Sequence, residues 1–198
     1  MATNLARFEP EFKRRYRRLS KALDNDIPRV IANEHVRGFK QSFRMQRFND
    51  SGTTSWRRPK RKDTSSAFPP PTTSGLTRST LVGKGGGGMS GLSDSFRVKF
   101  SGNDIIIENT KDYAGLHNEG GKNKVSVTPK MRKFAWAMYY KSKKRGAANA
   151  ESWKGLALTK KKTITVTIPE RKFMGHSRAI DKQSENEIDQ ELNEIFLK

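Results

Sequence analysis

The sequence predicts an α+β fold: a small antiparallel β-sheet packed with a long N-terminal helix, a middle helix and a C-terminal helix, with a long extended arm or loop. Three observations predict it. Apolar residues recur at i, i+3 and i+4 near both ends of the chain, which sets them on one face of a helix. Short runs rich in Val, Ile and Thr in the second half alternate with polar residues, the period of a half-buried strand. Between the first helix and the first strand the periodicity vanishes in favour of Pro69-Pro70-Pro71 and Gly85-Gly86-Gly87-Gly88.

The first helix is expected from about Glu11 to Phe43, with Phe12, Tyr16, Leu19, Leu23, Ile27, Val30 and Ile31 on its apolar stripe. Pro28 should kink or split it, because proline has no N–H to donate and its ring crowds the preceding turn. The opposite face carries Lys13, Arg14, Arg15, Arg17, Arg18 and Lys21. Residues 1–48 form this N-terminal helical region, and residues 49–93 form the basic, Pro/Gly-rich arm or loop. Loops of that length are uncommon in compact domains and are usually functional or ordered on assembly. Arg57, Arg58, Lys60, Arg61 and Lys62, following Trp56, are its candidate polyanion contacts.

Residues 94–178 are expected to hold the sheet and the middle helix. Phe96 to Phe100 alternates, Ser101 to Asp104 is turn material, and Asp104 to Asn109 is a second β-rich run, so the three read as a hairpin. Tyr113 to Glu119 can form a short helix started by Asp112 and stopped by Gly120-Gly121. Val125 and Val127 make a brief strand. Pro129 opens a helix through Tyr140 with Thr128 as its N-cap, and Phe134, Met138 and Met131 are its core face, with Trp136 and Tyr140 as exceptions. Lys143 to Ser152 is expected as a basic loop. Thr163 to Ile168 alternates as a strand that Pro169 ends, joining the hairpin in one sheet.

Residues 179–198 are the acidic C-terminal helix, with a capping box at Ser184 and Glu187. Ile188, Leu192, Ile195 and Phe196 share one face and make a candidate interface. This helix reverses the charge trend of the chain, with six acids against two lysines.

The 198 residues carry 40 Lys and Arg against 20 Asp and Glu, a net charge of +20, so a polyanion is the expected neighbour. Hydrophobic residues make up 33%, low for a globular chain, so a good part of it is expected to sit outside any core or to be buried only against partners. The absence of cysteine excludes disulfides, thiolate metal sites and a Cys nucleophile. No run approaches the roughly 18 apolar residues of a membrane span and no leader pattern opens the chain, so a soluble protein with no membrane partner is expected. The glycine run at Gly83 to Gly88 has its lysine before the glycines, unlike a phosphate loop. His35, His117 and His176 lie in separate segments without ligand spacing. His117 with Glu119 could start a metal-dependent nuclease site, but no further carboxylates accompany them. Neither enzyme activity nor a cofactor or metal is expected.

Read in order, several elements resemble the phage virion morphogenesis or tail-completion family of the Mu-like protein G type. They are the N-terminal helical region, Trp56 with its basic stretch, Leu81 before Ser93-Asp94-Ser95-Phe96, and the hairpin to Asn109. A Tyr-Ala-x-x-His-x-x-Gly-Gly element follows, at Tyr113, Ala114, His117, Gly120 and Gly121. An Ile-Pro-x-Arg-x-Phe-hydrophobic-Gly element comes next, at Ile168, Pro169, Arg171, Phe173, Met174 and Gly175, and then the C-terminal helix.

The resemblance implies a structural virion protein at the tail or neck, made in the host cytoplasm. It implies a self-assembled ring of six copies that meets the tail terminator and the neck or connector proteins, with DNA passing non-specifically through its lumen. Tyr113, His117, Gly120, Gly121, Pro169, Arg171 and Phe173 would then be a fold or interface motif. The second expectation is a basic nucleic-acid-binding protein that acts without catalysis, through Trp56 to Lys62 and Lys141 to Arg145.

Overall fold

The computed structural model describes residues 2–57, 81, 91–102, 104–146 and 150–197. Of the arm, residues 58–80 and 82–90 lie outside the described residues, and with them Arg58, Lys60, Arg61 and Lys62. The fold is α+β.

The N-terminal helical region is longer than the periodicity predicts and is divided just before its second proline. Helix α1 spans Ala2–Lys21 with Pro10 inside it, and helix α2 spans Ile27–Met45 with Pro28 in its first turn. Between them the chain widens into one π-turn, Ala22–Asp26. The cause is local: Pro28 cannot donate to the carbonyl of Asp24 and its ring would press on it, and a five-residue turn relieves both conflicts. At its far end α2 stops at Gln46, which takes the left-handed conformation (φ 55°), and the Gln46 side chain donates to the carbonyl of Phe43 at 2.6 Å.

The predicted apolar stripe splits at that π-turn. Ile27, Ala32, Phe39 and Phe43 of α2 are buried, but Phe12, Tyr16 and Leu23 on the α1 side are 58%, 65% and 53% exposed. Helix α2 packs on the hairpin and on the C-terminal helix, whereas the main packing of α1 among the described helices and strands is on the C-terminal helix, which leaves these side chains largely open to solvent.

Strands β1 (Phe96–Ser101) and β2 (Asp104–Asn109) form the expected hairpin, in register Phe96 to Asn109 and Ser101 to Asp104. It packs on α2 through Phe96, whose ring lies 5.8 Å from Phe39 and 6.4 Å from Phe43. A short 3-10 turn, Leu92–Asp94, leads into it and buries Leu92. Helix α3 spans Ala114–Glu119, and its N-cap is Tyr113 without a side-chain bond, so Asp112 does not start it.

The expectation of one sheet is corrected. Among the described residues strand β3 (Gly121–Ser126) pairs antiparallel with β4 (Thr163–Ile168) and with no other strand, which gives two separate two-stranded sheets. The reason is topological. Gly121 pairs with Ile168, so the chain leaves and returns at one point, and everything from 121 to 168 is a closed excursion from the body.

Inside the excursion, α4 (Pro129–Lys144) begins as predicted, with the Thr128 hydroxyl accepting from the Met131 amide at 3.2 Å. It runs four residues beyond Tyr140, and the expected loop through Ser152 gives way to a further helix, α5 (Ala150–Leu158). The two pack as a helical hairpin. The buried face of α4 is Ala135, Met138, Tyr139 and Ser142 rather than Met131 and Phe134, and Phe134 stands exposed with its ring edge-on to Trp153. Trp136 and Tyr140 stack on each other at the rim, with Tyr140 exposed.

Helix α6 (Arg178–Leu197) starts before the predicted capping box. Ser177 is the residue that caps it: its hydroxyl accepts from the Ile180 amide at 3.3 Å. Ser184 sits inside the helix and donates back to the carbonyl of Ile180 at 3.0 Å. The helix lies along α2, where Ile180 is buried against Gly38; a Cβ built on that glycine would stand 2.5 Å from Ile180 Cδ1. Of the candidate interface face, Ile195 is buried within the chain, Ile188 and Leu192 are half-buried, and Phe196 remains 53% exposed. No helix among the described residues is long and apolar enough to cross a membrane.

Candidate functional site

The two glycine-containing elements, Tyr113 to Gly121 and Ile168 to Gly175, are about fifty residues apart in the chain and interlock in space. Helix α3 ends at Gly120, which has φ 73°, a conformation that a side chain disfavours. The same glycine lies against the returning chain, where an added Cβ would come within 2.7 Å of the Glu170 amide nitrogen and 3.0 Å of its Cα. Glycine is needed here for two reasons at once, conformation and close approach.

The returning chain bonds the end of α3 through one of its carbonyls and one side chain. The Arg171 amide donates to the carbonyl of His117 at 2.8 Å. The Asn118 side-chain oxygen then accepts from two successive amides, Phe173 at 2.9 Å and Met174 at 3.1 Å. Those amides belong to the most buried part of the chain, since Phe173 has no exposed surface. Pro169, with its fixed φ, directs the chain out of β4 toward these contacts.

Phe173 is thereby held in the core formed by Phe43, Leu92 and Ala114, on which Trp56, Leu81, Phe96 and Met174 also pack. The ring of Phe173 is 4.9 Å from that of Phe43 and 6.2 Å from that of Phe96. Trp56 closes the corner from the other side: its indole N–H donates to the carbonyl of Lys172 at 3.0 Å, and its own amide donates to the carbonyl of Gln46 at 2.7 Å.

Burial, with charge behind it, shifts His117 toward its neutral form. Tyr113 meets its ring edge-on at 5.9 Å, as the i, i+4 spacing predicts. Burial, and then the nearby Arg171 guanidinium, hold the imidazole below its ordinary value of 6.5. Arg171 is itself buried, and its Nη2 donates to the carbonyl of Arg57 at 3.3 Å. Arg57, the one described member of the predicted polyanion group, is thus tied to the corner by its backbone while its side chain stays exposed.

The contacts described make this corner a joint between two segments of the chain. Glu119 is exposed, and no group of three or more His, Cys, Asp or Glu residues that could hold a metal occurs among the described residues. The other two histidines, in separate segments of the sequence, converge on one carboxylate. His35 Nε2 lies 3.3 Å from one carboxylate oxygen of Asp181 and His176 Nδ1 lies 3.2 Å from the other. They tie α2, α6 and the loop before α6 together. Asn118 is the central residue that sequence reasoning passed over; its signal, an Asn between a histidine and a helix-ending Gly-Gly, is that of a side chain free to bond backbone across the turn.

No family model, no curated protein and no solved structure matches this chain.

Proposed function

We propose that the chain is a structural protein of a tailed-phage particle, a tail-completion or neck component that forms a ring at the head-tail junction. One observation carries the reading. The segments that bear the family resemblance, Trp56, Leu81, Phe96, Tyr113 to Gly121 and Ile168 to Gly175, gather around a single core at Phe43 and Phe173. Residues that resemble a family in order along the chain are here also the ones that specify the fold.

Two further features favour assembly over catalysis. Large apolar residues stay exposed on separate faces, among them Phe12, Tyr16 and Leu23 on the α1 side, Phe100 and Ile106 on the hairpin, and Phe196 on α6. Leu23, Pro28, Phe100 and Ile105 line one open groove between the π-turn and the hairpin tip. A closed ring is built from head-to-tail contacts between two different surfaces of each copy. The exposed face of α1 at Phe12 and Tyr16 and the groove at Leu23 and Phe100 supply two such surfaces with apolar content, and the acidic α6 beside a basic body supplies complementary charge.

The test is electron microscopy with light scattering on the purified full-length chain. Closed rings of uniform diameter are expected, six copies being the number the resemblance implies. A chain that stays monomeric across the concentration range and never forms rings would overturn the reading.

A further inference from the structure

The net charge of the molecule is unevenly placed. Between Gly121 and Ile168 the sequence has thirteen Lys and Arg residues and a single acid, Glu151, so 48 residues carry +12 of the total +20. All thirteen are described. Eleven are exposed, and Arg132 and Lys154 are half-buried. Among the described residues of this excursion the one ion pair joins Lys154 to Glu151, at 3.9 Å. Among the described residues the charge is therefore left largely unpaired, on an element tethered to the body at Gly121 and Ile168.

The ribbon at its base is two-sided. Directly paired residues share a face, so Lys122, Lys124 and Ser126 stand beside Thr167, Thr165 and Thr163. All six are exposed. That face holds only ammonium and hydroxyl groups, the side chains that contact phosphate oxygens without reading bases. Lys160, Lys161 and Lys162 continue the charge into the turn before β4, and Lys141, Lys143, Lys144 and Arg145 close the end of α4.

We propose that this excursion is a duplex-DNA-binding arm, with the Lys/Thr face of the β3–β4 ribbon against the phosphate backbone and no base-specific contact. The occupant follows from charge and shape together. A pair of strands is the width that the major groove, about 12 Å across, admits. Clustered cations in water gain from a polyanion chiefly by releasing its condensed counterions, a gain that a protein surface of scattered acids does not offer. Single strands fit less well: Tyr139 is buried, and the exposed rings of Phe134 and Tyr140 are already packed on Trp153 and Trp136 and sit on α4 rather than on the Lys/Thr ribbon. The arm does not rest on the ring reading, since a monomer can bind through it.

Fluorescence anisotropy with a labelled duplex of about 30 base pairs and random sequence, using the full-length chain, tests it. Two pairs of substitutions remove equal charge from exposed positions: Lys122→Gln with Lys124→Gln on the ribbon, and Arg14→Gln with Arg17→Gln on α1. Binding by the unaltered chain should weaken steeply with salt. The ribbon pair should lose about tenfold in affinity and flatten the salt slope by roughly one to two units, while the α1 pair loses less than about threefold. Circular dichroism should be unchanged in both.

Failure to retain duplex at low salt would overturn the proposal, as would equal losses from the two pairs, which would mean that only overall charge matters. Two other results also sink it: tighter binding to single strands that disappears with Tyr140→Ala, and competition by poly-glutamate equal to that by DNA at matched charge, which points to an acidic protein partner. Rings that ignore DNA would refute the arm and leave the assembly reading standing.

Discussion

Replacing Asn118 by alanine should destabilise the body more than the exposure of the residue suggests, because the loss falls on other groups. The Asn118 oxygen serves two amides, those of Phe173 and Met174, at 2.9 and 3.1 Å, and the chain at Phe173 is fully enclosed. Removing the acceptor strands both donors where water enters poorly, and each buried unsatisfied group costs about 1–3 kcal/mol. Because Met174 is only half-buried, its amide can recover part of its loss from solvent, which puts the total at roughly 2–4 kcal/mol. In a chain of this size that corresponds to a fall in melting temperature of about 4–16 °C. Asn118→Asp keeps an acceptor oxygen in place for the same two amides and should recover most of the loss. The assay is urea unfolding followed by tryptophan fluorescence, with thermal melts as a second measure. A loss below about 0.5 kcal/mol for Asn118→Ala, or equal losses for alanine and aspartate, would refute the acceptor role assigned to this side chain.

Gly120→Ala should cost more than about 2 kcal/mol or abolish soluble expression, since its Cβ meets the Glu170 backbone, while Gly115→Ala, with open space around it, should stabilise α3 by about 0.5–1 kcal/mol; matched melts decide between them. Gly38→Ala should cost about 1–3 kcal/mol by driving a Cβ into Ile180, with partial recovery in the double variant with Ile180→Val, and no coupling between the two sites would contradict the packing of α6 on α2. The lowered pKa of His117 has a definite sign in the stability profile: the unfolded chain takes up the proton first, so the contribution is complete above about 6.5 and is lost as pH falls toward the folded value. Urea midpoints from about pH 8 to about pH 5 should therefore drop more for the unaltered chain than for His117→Gln, and parallel curves would show that the imidazole is not shielded.

Elements governed by local chemistry were legible in the sequence. The hairpin at Phe96 to Asn109, the start of α4 at Thr128-Pro129 and the end of α3 at Gly120 all follow from residues adjacent in the chain. Errors came where a distant partner decides. The stripe through Phe12 and Tyr16 has the spacing of a core face, but spacing cannot say whether anything covers it. Ser184 and Glu187 match a capping box, yet Ser177 caps α6, because its hydroxyl also donates to the Asn49 carbonyl and so fixes the helix start on the body. Helix α5 was hidden by Gly146 and the small residues around it, which read as a loop, and by having only one residue, Ala157, fully buried. Within the candidate site the conspicuous types, His117 and the glycines, were visible, while Asn118 was not, since its role depends on two amides more than fifty residues away.

The same limit explains why one sheet was expected and two are found among the described residues. Strand β4 has the alternation of a sheet member, and nothing in Thr163 to Ile168 distinguishes β3 from β1 or β2 as its partner. The choice is made by the corner: Gly120 against Glu170 and His117 against Arg171 bring Gly121 and Ile168 side by side, so β3 and β4 pair from that point outward. Closure at the base removes the entropic cost of joining ends 48 residues apart, which makes pairing along the ribbon a local step once the corner has formed. The corner is thus the element on which both halves depend. It fixes Phe173 in the body core on one side and sets the base of the basic ribbon on the other, so a substitution such as Asn118→Ala should disturb the β3–β4 base as well as the body, whereas changes on the Lys/Thr face should leave the body untouched.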